Sequence, residues 1–491
     1  MTLHKIAYMI PLFSLVSTMG YAQTIDKREV SIHTMIEGYN QQDYSQMKKP
    51  WGFIGKILLR KKKFKKQYEP FFSKNGIATI DTILYRSKYM ATVQLQFKDQ
   101  PTNRATLRFM FNDRGKLQGF GFGYPSFIYR KSNQDSNSNL TLEQQALTID
   151  SLISHRVNKK APNNFNGCVL VSNQDQVIYK SCFGYANYQT KEMLNDTSMF
   201  LLASCTKQFT AAAIMILHEK SLLKYTDTVA SYIPNFPYPN VTIEHLLTHT
   251  SGLPSYFPLL ANHWDHSKQA GNKDVINLLI EHKPPLYFAP NTRFDYSNTG
   301  YILLSSIIEA VSKQTYGDFL SQHIFTPLGM NRTEVYFRRS GDTTISSYAL
   351  GHVYSIKDSS FVLPDSIKRS QYVTYMDSLT GDDGVSSSVM DLYKWDKGLS
   401  SNTILLPSSL ELMYAKHTLA SGKKTDYGFG FFLVKGPAIE DLVYHTGGWP
   451  GYSTMIMKLE EQKKNIVILS NNDYDNFDAL ADEIATSLLR H

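Results

Sequence analysis

The chain has 491 residues, 42% of them apolar and 19% charged, with a formal net charge of +8. That balance excludes wholesale disorder, the length leaves room for two or three domains, and three cysteines are too few for a disulfide-built scaffold. The charge is uneven: residues 1–140 hold 22 of the 51 Lys and Arg but 9 of the 43 Asp and Glu, so the remainder is acidic.

Residues 1–22 carry the marks of a secretory signal: His4 and Lys5, an apolar run from Ile6 to Val16, and small residues at Gly20-Tyr21-Ala22. The apolar run is too short to cross a bilayer unless it stays as an uncleaved anchor. The mature chain is expected to begin near Gln23 and to be periplasmic or secreted, which makes nucleic acid an unexpected partner. Residues 30–75 read as helical and contain the basic run Arg60–Lys66. Such a run is by default a solvated helix face; the sharper reading is a surface for an anionic envelope partner. Alternation at Val93, Leu95 and Phe97, then at Ala105, Leu107, Phe109 and Phe111, predicts two half-buried strands, and a third follows at Leu117–Tyr124. Residues 23–130 are therefore expected to form a small α+β domain, with a faint likeness to nuclear-transport-factor-like modules. The polar stretch 131–147 reads as a linker into a second domain, 148–491.

In that domain, Gly167–Val171 and Gln176–Phe183 predict a hairpin. It would place Cys168 near Cys182, but a one-residue slip would put them on opposite faces, so a bridge and two buried thiols both stay open. Strand-like runs return at Tyr427–Val434, Leu442–His445, Ser453–Leu459 and Asn465–Leu469, and a closing helix at Phe477–Leu489. Strands at both ends of a helical middle predict one antiparallel sheet closed by both termini, beside a helical lobe.

Chemistry concentrates at Ser204-Cys205-Thr206-Lys207, which opens an apolar helix. Residues three apart share a helix face, so the Lys207 amine can reach the Ser204 hydroxyl. A serine needs a neighbouring base, and desolvation can lower a lysine enough to serve. Ser-x-x-Lys alone is cheap: Ser45, Ser221 and Ser421 also precede a lysine by three. Tyr-x-Asn is equally cheap, occurring at Tyr185, Tyr238, Tyr296 and Tyr474. His245 and His249 stand four apart, but no third ligand or zincin-spaced Glu follows, so neither a metal nor a cofactor is expected.

Order and flanks decide among these. Phe200–Ala213, Thr242-Ile-Glu-His-Leu-Leu-Thr-His-Thr-Ser-Gly-Leu-Pro254, Arg293–Tyr301 with Tyr296-Ser-Asn298, Gly381-Asp-Asp-Gly-Val-Ser-Ser-Ser388 and His445-Thr-Gly-Gly448 follow one another in the chain. This series resembles the serine β-lactamase and penicillin-binding-protein family, in its class C β-lactamase and D-alanyl-D-alanine carboxypeptidase branch, over residues 150–490. The resemblance implies a β-lactamase/transpeptidase-like α/β fold and an acyl-enzyme at Ser204. It implies that Lys207 and Tyr296 share proton transfer, that Asn298 binds the substrate amide or Lys207, and that the Ser204 and Gly448 amides form an oxyanion hole. His445, Thr446 and Gly447 would line the substrate on an edge strand.

His445 stands where β-lactamases carry lysine, so D-amino-acid peptides and small esters are expected ahead of β-lactams. An imidazolium there would hold a substrate carboxylate better at acid pH. A class C-like β-lactamase and a non-hydrolytic penicillin- or peptide-binding sensor are the alternatives.

Overall fold

The computed structural model describes residues 27–41, 46–47, 49–50, 77–87, 90–98, 100–111, 116–122, 140–161, 164–174, 176–339, 345–436, 439–472, 474 and 477–489. The signal-like segment, the basic run Arg60–Lys66 and the start of the polar stretch lie outside them. The chain divides into two compact units, Met1–Tyr124 and Pro125–His491.

In the first unit, helix α1 (Lys27–Asn40) precedes a four-stranded antiparallel meander, β1 (Ala78–Ser87), β2 (Met90–Phe97), β3 (Gln100–Phe111) and β4 (Leu117–Phe122). Val93 and Leu95 are buried, as their alternation requires. β1 was not among the expected strands. Its Ala-Thr-Ile-Asp-Thr-Ile-Leu breaks strict alternation, and the register with β2 shifts between Ile80 and Thr82.

In the second unit, helix α2 (Leu142–Val157) starts inside the stretch read as linker. Thr141 and Gln144 form a reciprocal capping box there, which supplies the helix start that an apolar-period search passes over. Then come β5 (Gly167–Asn173), β6 (Gln176–Phe183), helix α3 (Lys207–Glu219), helix α4 (Asn298–Ser312), β7 (Phe432–Gly436), β8 (Ile439–Trp449), β9 (Tyr452–Leu459), β10 (Lys464–Ser470) and helix α5 (Phe477–Leu489). The six strands form one antiparallel sheet in the order β7-β8-β9-β10-β5-β6, so the two ends of the unit meet at the β10–β5 pair.

Every residue of β5 and β10 is buried, because both faces of the sheet are covered. Cys168, Leu170, Val467 and Leu469 join the large core shared with α3, α4 and the helix Val389–Ser400. The alternate residues Val169, Val171, Ile466 and Ile468 point the other way, toward the packed helices α2 and α5. The run expected as a strand from Tyr427 pairs regularly only from Phe432. Gly430 (φ +82°) turns the chain tightly against the start of α3, where a Cβ would press on the Lys207 carbonyl.

The hairpin register sets Cys168 directly opposite Cys182, and the two form a disulfide. The bridge closes a loop of 14 residues' separation, for which loop-closure entropy gives about 3 kcal/mol in the chain-entropy description. Reductant is therefore expected to lower the melting temperature of the wild-type protein by several degrees and to leave Cys168→Ala/Cys182→Ala unmoved. A melting curve insensitive to reductant in both would contradict this.

Candidate active site

Ser204 sits in a 3-10 turn, Ala203–Thr206, that leads into α3. The turn is clamped from three sides. The Leu202 amide donates to the Val385 carbonyl (2.8 Å), the Val385 amide donates to Thr206 Oγ1 (3.2 Å), and Thr454 Oγ1 donates to the Leu202 carbonyl (2.7 Å). Ala203 takes φ +49°, unusual for a residue with a Cβ, and that sharp step delivers Ser204 to the surface of an otherwise buried turn. A Cβ at Gly447 would overlap the Leu202 carbonyl and Thr454 Oγ1, so glycine alone allows β8 to approach the turn this closely.

One turn along, Lys207 is fully buried. Its Nζ donates to Ser204 Oγ (3.0 Å) and to the Asp382 backbone carbonyl (2.8 Å). It also lies 5.0 Å from the Tyr296 ring centroid and 5.5 Å from that of Tyr301. Burial lowers the Lys207 amine to about 8, and the nearby Asp382 and Asp383 carboxylates partly oppose the fall. The expected pair is thus in contact, with an amine that exchanges its proton near neutrality.

The loop carrying the Asp382 carbonyl is itself fixed. Gly381 and Gly384 adopt φ +98° and +104°. Thr210 Oγ1 donates to the Gly381 carbonyl (2.7 Å), and the Asn272 amide group bonds both backbone groups of Thr380. The buried Asp382 carboxylate accepts from the Tyr256 hydroxyl at 3.0 Å, while its Oδ1 meets no partner. Burial raises this carboxyl, and Lys207 beside it pulls the other way. Sequence reasoning quoted Asp382 within its motif but gave it no role, and it passed over Tyr256 altogether. An acidic pair inside a Gly-rich loop was the available signal for the first; Tyr256 had none, since it reaches Asp382 across 126 residues.

Asn298 opens α4, where Ser297 caps the helix by accepting from the Gly300 amide. The Asn298 Oδ1 is buried and accepts no hydrogen bond, so the expected contact with Lys207 is not made there. On β8, Thr446 is partly exposed, Gly447 buried and Gly448 exposed, with open space where a Cβ would stand. Ser204 and Gly448, the residues expected to form the oxyanion hole, therefore both reach the surface at the place where the turn docks on the strand. Among the described residues, no group of three or more His, Cys, Asp or Glu could hold a metal.

His445 corrects an expectation. Its ring is buried, its Nδ1 donates to the Thr446 carbonyl (2.7 Å), and its Nε2 accepts from the Tyr427 hydroxyl (3.0 Å). Burial, with Lys207 nearby, pushes the imidazole down to about 3. It is a neutral strut with both nitrogens engaged, and no imidazolium stands ready for a substrate carboxylate. Two outcomes follow. For a carboxylate-bearing substrate, KM is expected to stay flat between about pH 5.5 and 8, the range around the ordinary histidine pKa; a marked fall in KM toward the acid end would contradict the neutral ring. Because the folded-state value lies below the unfolded one, the stability tied to His445 is present above pH 6.5 and drains away as pH falls toward about 3. Melts of wild type and His445→Asn across that window test this, the variant losing less on acidification.

Comparison with known proteins places the second unit. The β-lactamase family model matches residues 149–490. Penicillin-binding protein 4* of Bacillus subtilis (strain 168) is 42% identical over 313 residues, which is 64% of this chain and 69% of that protein. Among solved structures, a penicillin-binding protein from Bacillus halodurans superposes with a TM-score of 0.59 at 25% identity, covering 69% of this chain and 98% of that one. The D-amino acid amidase of Ochrobactrum anthropi SV3 shares the fold, with a TM-score of 0.57 at 20% identity over 70% of this chain and 98% of its own. The clamped Ser204 turn, the buried lysine and the Gly-rich loop thus stand within a known architecture, and the chain belongs to the β-lactamase family.

Proposed function

We propose that this protein is a serine hydrolase that forms an acyl-enzyme at Ser204 and passes the acyl group to water or another acceptor. One observation carries the reading: a fully buried Lys207 amine, lowered to about 8, lies 3.0 Å from Ser204 Oγ. In its neutral form the amine takes the hydroxyl proton as Ser204 attacks a carbonyl carbon. The tetrahedral oxyanion is held by the Ser204 and Gly448 amides, each such donor being worth about 10²–10³ in rate. The proton then returns, through Lys207 and Tyr296, to the departing amine or alcohol.

Amide and ester donors, D-amino-acid peptides and small esters among them, fit this centre. The neutral His445 supports the choice, because it adds no fixed cation to demand a free carboxylate. Similarity to penicillin-binding protein 4* supports a second reading, in which penicillin acylates the same serine. Export, drawn from residues 1–22, and an anionic envelope surface for the basic run belong to the same proposal.

Intact-mass spectrometry after exposure to a fluorophosphonate and to a fluorescent penicillin, beside Ser204→Ala, tests it. The wild type is expected to gain the mass of at least one probe and the variant of neither. A penicillin adduct that persists would favour a peptidase or sensor, and one lost rapidly a β-lactamase. Labelling that survives in Ser204→Ala, or no labelling of either protein, would overturn the acyl-enzyme reading.

A further inference from the structure

We propose that His249 is the positioning residue for Tyr296, holding the backbone on both sides of it; the inference rests on the role given to Tyr296 above. The histidine stands at φ +57°, a left-handed conformation that His, Asn and Asp tolerate better than most side chains. That turn lets one residue act twice. Its carbonyl accepts from the Asp295 amide (2.9 Å), and its Nδ1 accepts from the Ser297 amide (3.0 Å). The two peptide N–H groups that bracket Tyr296 are thus anchored to a single residue.

The imidazole also packs against the ring it brackets. Its centroid lies 4.3 Å from that of Tyr296, 4.5 Å from Tyr427 and 5.0 Å from Tyr301. Neighbouring contacts extend the same seam. Thr250 and Gly252 accept from the amides of Asn291 and Tyr287, and a Cβ at Gly252 (φ +71°) would collide with the Phe288 carbonyl. Thr299 Oγ1 accepts from the Tyr256 amide and donates to the Pro254 carbonyl. The segment 245–256 is therefore a rail on which 287–301 is laid.

Nδ1 can accept only while it lacks a proton. Burial holds the imidazole well below its ordinary pKa, so the ring is neutral, with its hydrogen on Nε2. That Nε2 is buried and meets no acceptor, which costs stability. The ring's productive hydrogen bond is the one at Nδ1.

Two substitutions isolate it. His249→Asn keeps the left-handed backbone and offers Oδ1 near the place of Nδ1; His249→Gly keeps the backbone and removes the acceptor. Acylation by a fluorophosphonate and by a p-nitrophenyl ester would be timed in variants verified as folded by thermal melts. Misplacing a reacting group by about 1 Å costs about 10²-fold, so His249→Gly is expected to acylate about 10²-fold slower and His249→Asn within about threefold of wild type. In hydrogen exchange, the peptide holding Asp295–Ser297 should lose protection in His249→Gly and keep it in His249→Asn. Wild-type rates in His249→Gly, or equal slowing in both folded variants, would overturn the proposal. If His249→Gly does not fold, His249→Gln replaces it and is expected to be slow, because its amide lies one methylene too far out. If wild type is not acylated at all, the Ser204 reading fails separately. The exchange comparison then decides whether His249 holds the Ser297 amide.

Discussion

A fully buried lysine amine is the constraint around which the second unit is arranged. Placing an ammonium in a protein interior is costly unless its hydrogens find acceptors, and the cost falls on the charged form. Lys207 resolves this with two oxygens, the Ser204 hydroxyl and the Asp382 carbonyl, and with the faces of two tyrosine rings. Nearly every irregularity near the site serves one of those contacts. The positive φ of Ala203 aims Ser204, the two left-handed glycines of the 381–384 loop aim the Asp382 carbonyl, and Gly447 and Gly430 admit backbone close against the Ser204 turn and the start of α3.

The charges around Lys207 are graded to match. Burial lowers the amine, and the buried Asp382, anchored by Tyr256, limits how far it falls. His249 and His445, near enough for the Lys207 charge to act on them, are neutral rings whose burial keeps protons off. A cation at either position would depress Lys207 further. A lysine at 445, as the β-lactamase resemblance leads one to expect, would do that, and the neutral histidine does not.

Much of this was legible in the residues. The Ser204–Lys207 spacing and the antiparallel sheet closed by both ends follow from local periodicity, while the Tyr296–Asn298 element was singled out by the family resemblance; the structure shows that sheet and brings Lys207 against Ser204 and the Tyr296 ring. What stayed hidden depends on long-range contact. Nothing near Tyr256 announces a bond to Asp382, and nothing near His249 announces that its ring receives the amide of Ser297, 48 residues on. The disulfide turned on register, which periodicity leaves free by a residue until the β5–β6 pairing is known. His445 was misjudged because its reference pKa says nothing of the Tyr427 hydroxyl that occupies its Nε2. The start of α2 was lost because a capping box of Thr141 and Gln144 looks, letter by letter, like more linker.

The central claim is that the Lys207 amine is poised to lose its proton near neutrality while touching the Ser204 hydroxyl. The most direct measurement is the pH dependence of the pre-steady-state acylation rate constant between about pH 6 and 10, spanning the displaced and ordinary lysine values. With the neutral amine as the proposed base, the rate should climb with pH and level off, with its midpoint at about 8. A midpoint near the ordinary lysine value, or a rate independent of pH across the range, would contradict the account.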